Sequence, residues 1–124
     1  MKKDIKNKED IQLLINNFYK KVIDDDEIGF IFNDVMKVNW KNHLPIMYDF
    51  WENNLFYTGA YEGNPMESHK KLNTIVPLTS AHFDRWNTLF NNAVDENFEG
   101  EKADLAKQRA YSISTVMKIK ILSA

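Results

Sequence analysis

The sequence contains no cysteine. That excludes a disulfide framework, a thiolate-bound metal and a thiol nucleophile, and it suits a reducing compartment. Glycine is scarce: only Gly29, Gly59, Gly63 and Gly100 occur, too few and too scattered for a phosphate-cradling loop. No Asn-Gly pair marks a hairpin, and strand signals are scarce. No apolar run approaches membrane-spanning length, and the basic residues after Met1 are not followed by the apolar stretch of a signal peptide. Basic excess is absent as well: 16 Lys and Arg face 18 Asp and Glu, for a net charge of −2. That speaks against a nucleic-acid partner. Repeats, linkers and low-complexity tracts are also lacking. The expectation is a single domain over residues 1–124, cytoplasmic, with neither a membrane nor a nucleic acid as partner.

What the chain does have is aromatic side chains and helical periodicity. Aromatics make up 13% and hydrophobic residues 44% of the 124 residues. After a charged lead-in over residues 1–8, read as loose, Ile11, Leu14, Ile15, Phe18 and Val22 recur at steps of three and four, one face of an amphipathic helix. Tyr19 falls on the same side. Asp24, Asp25 and Asp26 are unfavourable at that helix's C-terminus and belong to the start of the next turn. Residues 28–33 predict a single apolar helical turn, and 34–39 a connector. A second helix is predicted from Trp40 to Tyr57, with His43, Met47, Phe50, Trp51 and Leu55 close to one stripe. Pro45 fits if Asn42 is the N-cap; otherwise it kinks the helix near His43.

Residues 57–64 predict a turn-rich break before a short helix that opens near Pro65 and carries His69, with a further connector at 73–77. Thr79 or Ser80 would cap a third long helix, whose inward face holds Phe83, Trp86, Phe90, Ala93 and Asn97. Gly100 breaks the chain before a last helix from Ala103 to Ile121, with Ala106, Ala110, Ile113, Met117 and Ile121 on one face. The fold class expected is all-α, with four main helices and two short ones.

Three histidines carry what metal chemistry the sequence offers. Neither His-Glu-x-x-His nor Glu-x-x-His occurs, which removes the common helical zinc site and the di-iron bundle. His82 precedes its helix's apolar stripe without an evident partner and reads as a surface or first-turn residue. His43, on an apolar face, suits a neutral core imidazole bonded to a carbonyl. His69, on a brief helix behind a flexible loop, suits either an exposed surface position or a metal ligand. Inward Tyr19 and Trp86 each need a partner for a polar hydrogen. One imidazole ligand, a polar but dry pocket and many flat side chains together suit haem. The plain alternative is that the aromatics are core and the chain is a cofactor-free helical interaction module.

Specific pieces then line up in order: Phe18-Tyr19, Ile31-Phe32-Asn33, Trp40-Lys41-Asn42-His43, Phe50-Trp51, Tyr61-x-Gly63-x-Pro65-x-x-x-His69, and Phe83-x-x-Trp86-x-x-Leu89-Phe90. From about Asp10 to Lys120 the sequence resembles the truncated haemoglobins, and within them group III, which also tends to lack glycine pairs. The resemblance implies a globin-like sandwich of two helices over two around haem b. It implies His69 as the proximal iron ligand and Tyr19, His43 and Trp86 around the distal site. Phe32 would pack on the porphyrin, with Met47, Trp51 and Leu72 also against the cofactor. Lys70, Lys71 and Arg109 are candidates for the propionates by charge alone. The function implied is reversible binding of oxygen, with nitric oxide and carbon monoxide as related ligands. A haem enzyme with peroxidase-like or nitric oxide dioxygenase activity, served by a separate reductase, is the second reading.

Overall fold

A computed structural model describes residues 2–35, 40–56 and 78–122, and for 34, 35 and 120–122 the backbone alone. Among the described residues there are four α-helices: α1 (Lys8–Ile23), α2 (Trp40–Phe56), α3 (Ser80–Asn97) and α4 (Glu101–Leu122). A π-helical turn at Ile31–Val35 stands between α1 and α2. Among the described residues the only ladder pairing is an isolated bridge between Lys3 and Phe98. The fold is all-α, as expected. α1 packs on both α2 and α3, α3 packs on α4, and α2 reaches α4 more lightly, which gives two helices over two. The 36–39 connector and the predicted 57–77 segment, with its short helix and flanking turns, lie outside the described residues.

α1 forms where its periodicity predicted. Asn7 caps it, its side chain accepting from the Asp10 N–H at 2.9 Å, and Lys20 and Lys21 suit the negative end of the dipole. Ile11, Leu14, Ile15, Phe18, Tyr19 and Val22 are all buried. Asp25 then behaves as its charge demanded: its Oδ2 accepts from the N–H groups of Glu27 and Ile28, at 3.0 Å each. The apolar turn after it divides its side chains, with Ile31 buried, Phe32 half-buried and Phe30 exposed.

The expected loose lead-in is not found: residues 2–8 are tied down. Ile5 is buried, Lys3 accepts from the Glu99 N–H at 3.0 Å, and the Asp4 carboxylate accepts from the backbone N–H groups of Lys102 and Ala103, at 2.9 and 2.8 Å. Asp4 thus satisfies the exposed donors at the start of α4 from about a hundred residues away, which no local pattern reveals. Gly100 makes room for it. Its φ is +133°, and a Cβ there would stand 2.7 Å from the Asp4 Cγ. α2 starts at Trp40 as expected, so Asn42 is not its N-cap and Pro45 lies inside the helix. Lys41 and Pro45 are both exposed, so water can meet the Lys41 carbonyl that Pro45 leaves without its helical donor.

Thr79 caps α3 as predicted, and His82 completes a capping box. The Thr79 Oγ1 accepts from the His82 N–H at 3.3 Å, while His82 Nδ1 accepts from the Thr79 N–H at 3.2 Å. His82 therefore has a partner that the sequence reading did not assign. α4 begins at Glu101, two residues earlier than expected, and buries Ala106, Ala110 and Met117.

Candidate functional site

Two of the predicted distal residues, Tyr19 and His43, meet in a group of rings from three elements. α1 supplies Tyr19, the π turn supplies Phe32, and α2 supplies Trp40 and His43. Tyr19 and His43 meet edge to face, with ring centroids 5.4 Å apart and planes at 79°. Trp40 packs 5.1 Å from Tyr19 and 5.6 Å from His43, and it stacks near-parallel on Phe32 at 6.2 Å. Phe32 also touches the Tyr19 ring at 6.2 Å. Four rings thus form one mutually packed group.

Trp86 joins this group through Phe18. The Phe18 ring lies 4.8 Å from Tyr19 and 5.4 Å from Trp86, the latter at 90°. Behind Trp86 runs a near-parallel stack: Trp86 on Phe90 at 5.7 Å, and Phe90 on Trp51 at 4.6 Å. Trp51 is buried, while Trp86 and Met47 are half-buried against the core. Tyr19, Phe32, His43 and Trp86 are therefore brought together, and Trp51 stands behind them. His69 and Leu72 lie outside the described residues, as do Lys70 and Lys71. Arg109 is half-buried on α4.

Tyr19 is the chemically unusual member. It is only 6% exposed, and no group among the described residues hydrogen-bonds its hydroxyl. Burial raises its pKa well above the ordinary phenol value. The hydroxyl therefore stays protonated and remains a donor, held in a water-poor wall of rings. A hydroxyl with no acceptor among the described residues is available to a ligand. One phenol donor, an imidazole beside it and an indole behind a phenylalanine make a small site with apolar walls, which suits a diatomic ligand on a flat cofactor. The residues present fit haem on this ground.

Trp40, Phe18 and Phe90 are the site residues that the sequence reading left in the core or unassigned. For Trp40 a signal exists: it lies three residues before His43, one turn away on the same helix face. Among the described residues no group of three or more His, Cys, Asp or Glu side chains could hold a metal ion, and no helix is long and apolar enough to cross a membrane.

A sequence model of the bacterial-like globin family matches residues 3–121. This chain belongs to that family. Within it, the chain is a group III truncated haemoglobin. It is 31% identical to the group 3 truncated haemoglobin of Campylobacter jejuni over 118 residues, covering 93% of this chain and 91% of that one. The crystal structure of the group III truncated haemoglobin from Campylobacter jejuni superposes with a TM-score of 0.84 at 29% identity, covering 98% of this globin and 95% of the other chain. The globin family implies haem and small diatomic ligands.

Proposed function

We propose that this globin holds haem b through His69 and binds oxygen and related diatomic gases reversibly at a pocket formed by Tyr19, His43 and Trp86. The observation that carries the proposal is the buried Tyr19 hydroxyl, kept protonated and left without a partner among the described residues beside the His43 ring. When bound, haem supplies an iron that takes the gas as a ligand. The chain's own residues do the rest. Tyr19 donates from its hydroxyl to the ligand's polar end, Trp86 donates from its indole N–H, and His43 completes the polar edge. Phe32 and Met47 supply apolar contact to the cofactor and keep water away. Such donor bonds act chiefly by slowing ligand escape. His69 and Leu72 enter the proposal from the sequence resemblance.

The test is the visible spectrum of the chain after haemin addition in its ferric, ferrous and ferrous–CO states, for wild type and His69→Ala. Oxygen release is then followed for Tyr19→Phe. The reading expects a strong Soret band, weakened or altered by His69→Ala, and oxygen release about tenfold faster or more in Tyr19→Phe, the effect of losing one hydrogen bond worth roughly 1.5 kcal/mol. A spectrum no different from free haemin in buffer would sink the proposal. Unchanged release in both Tyr19→Phe and Trp86→Phe would remove the distal roles alone.

A further inference from the structure

We infer that Trp40 is the positioning residue of the distal pocket, and that it holds His43 in place where Pro45 has weakened the helix turn beneath it. The inference rests on the reading of this site as a haem pocket and adds a residue to it. Trp40 touches three of the side chains proposed to form that pocket: Tyr19 at 5.1 Å, His43 at 5.6 Å and Phe32 at 6.2 Å.

Position along the helix gives these contacts a direction. Helical side chains lean toward the N-terminus, so His43 lies over the turn that begins with Trp40. The indole therefore stands where the imidazole would go if it swung along the helix and out of the pocket. The Tyr19 ring meets both, so phenol, imidazole and indole form a triangle of packed rings, and the indole backs the imidazole on one side.

The backbone of this turn offers less support than an ordinary helix would. Pro45 lies inside α2 and has no N–H to give to the Lys41 carbonyl, and His43 sits midway between the two. Packing restraint on His43 then counts for more, and Trp40 is the ring on its own helix placed to add it. Phe32, stacked near-parallel on the indole, fixes Trp40 in turn.

The experiment uses the full chain with four variants: Trp40→Leu, Trp40→Phe, Pro45→Ala, and Trp40→Leu with Pro45→Ala. Far-UV circular dichroism first checks that each is folded. Two signals are then read. One is the C–O stretching band of the haemin-loaded, reduced, CO-treated protein. The other is the rate at which His43 is modified by diethyl pyrocarbonate in the haem-free chain, mapped by mass spectrometry with His82 as internal reference. Expected for Trp40→Leu are a second C–O band and His43 modification about threefold to tenfold faster, the range of coupling between packed neighbours. Trp40→Phe should keep one band, Pro45→Ala alone should change neither signal, and Pro45→Ala should reverse much of the Trp40→Leu effect.

If Trp40→Leu changes neither signal while Tyr19→Phe moves the C–O band, the inference falls and the haem pocket stands. If Trp40→Leu changes both signals but Pro45→Ala restores neither, Trp40 is packing only and the assigned role is overturned. If neither Tyr19→Phe nor Trp40→Leu moves the band, the pocket reading itself fails.

Discussion

The two ends of this globin are held together by different means. Where the N-terminal strap, α3 and α4 meet, polar groups stitch the elements together. Asp4 caps α4, the Lys102 ammonium donates to the Leu55 carbonyl at 2.8 Å, and Lys107 pairs with Asp95 at 2.8 Å. Where α1, the π turn, α2 and the first half of α3 meet, rings pack on rings, and the Tyr19 hydroxyl meets no acceptor among the described residues. A scaffold gains from satisfying its own polar groups. A binding pocket has to leave some of them for the ligand and recover the stability through apolar contact.

The comparison breaks most sharply at Phe90. This fully buried ring lies between Trp51 and Trp86 and meets Phe18 edge-on at 5.2 Å. Phe90→Ala is expected to lower the unfolding free energy by about 3–5 kcal/mol in urea denaturation.

Asp25 ranks next, because it fastens the pocket end to α3. Its buried carboxylate meets Arg85 at 2.6 Å and caps the following turn. Arg85 is partly exposed, so Asp25→Ala should cost less than a fully buried pair, on the order of 2 kcal/mol.

Asp4→Ala tests the scaffold end alone. It should cost about 1–2 kcal/mol, as a lost helix cap does, and leave oxygen release unchanged.

Acid sharpens the same contrast. Burial pushes the carboxyls of Asp4, Asp10 and Asp25 up, but their hydrogen bonds and ion pairs outweigh it and hold all three below the usual carboxylate value. Groups depressed in this way stabilise the fold above the unfolded carboxylate pKa of about 3.9, and that contribution is lost as pH falls through their lower folded values. Unfolding free energy should therefore drop below about pH 4, less steeply in Asp4→Ala.

Tyr19→Phe is the smallest change in stability. No hydrogen bond to its hydroxyl exists among the described residues, so the shift is expected to stay within about 1 kcal/mol, even as oxygen release accelerates. A large loss of stability would mean that the hydroxyl already serves the fold.

Much of the architecture was legible along the chain. The spacing of Ile11, Leu14, Ile15, Phe18 and Val22 located α1, and Thr79 marked the start of α3. Tyr19 and Trp86 pointed inward as their positions required. These are short-range signals, in which periodicity and capping act over one or two turns. The start of α2 at Trp40 was legible too; of the two ways offered to place Pro45, an N-cap at Asn42 is not the one found, and Pro45 lies inside the helix. The lead-in was misjudged because Lys3 and Asp4 find their partners about a hundred residues away.

By itself, then, the sequence determined the helices, their buried faces and the types of side chain available to a ligand, since each follows from local geometry and the alternation of apolar with polar residues. Only the tertiary structure decided which of those side chains meet. Trp40 became the ring against Tyr19, Phe32 and His43 because the π turn and α2 fold back onto α1. Asp4 became the cap of α4 because Gly100 leaves it room. Contacts of that kind depend on the crossing of elements distant in the chain, and no local pattern encodes the crossing.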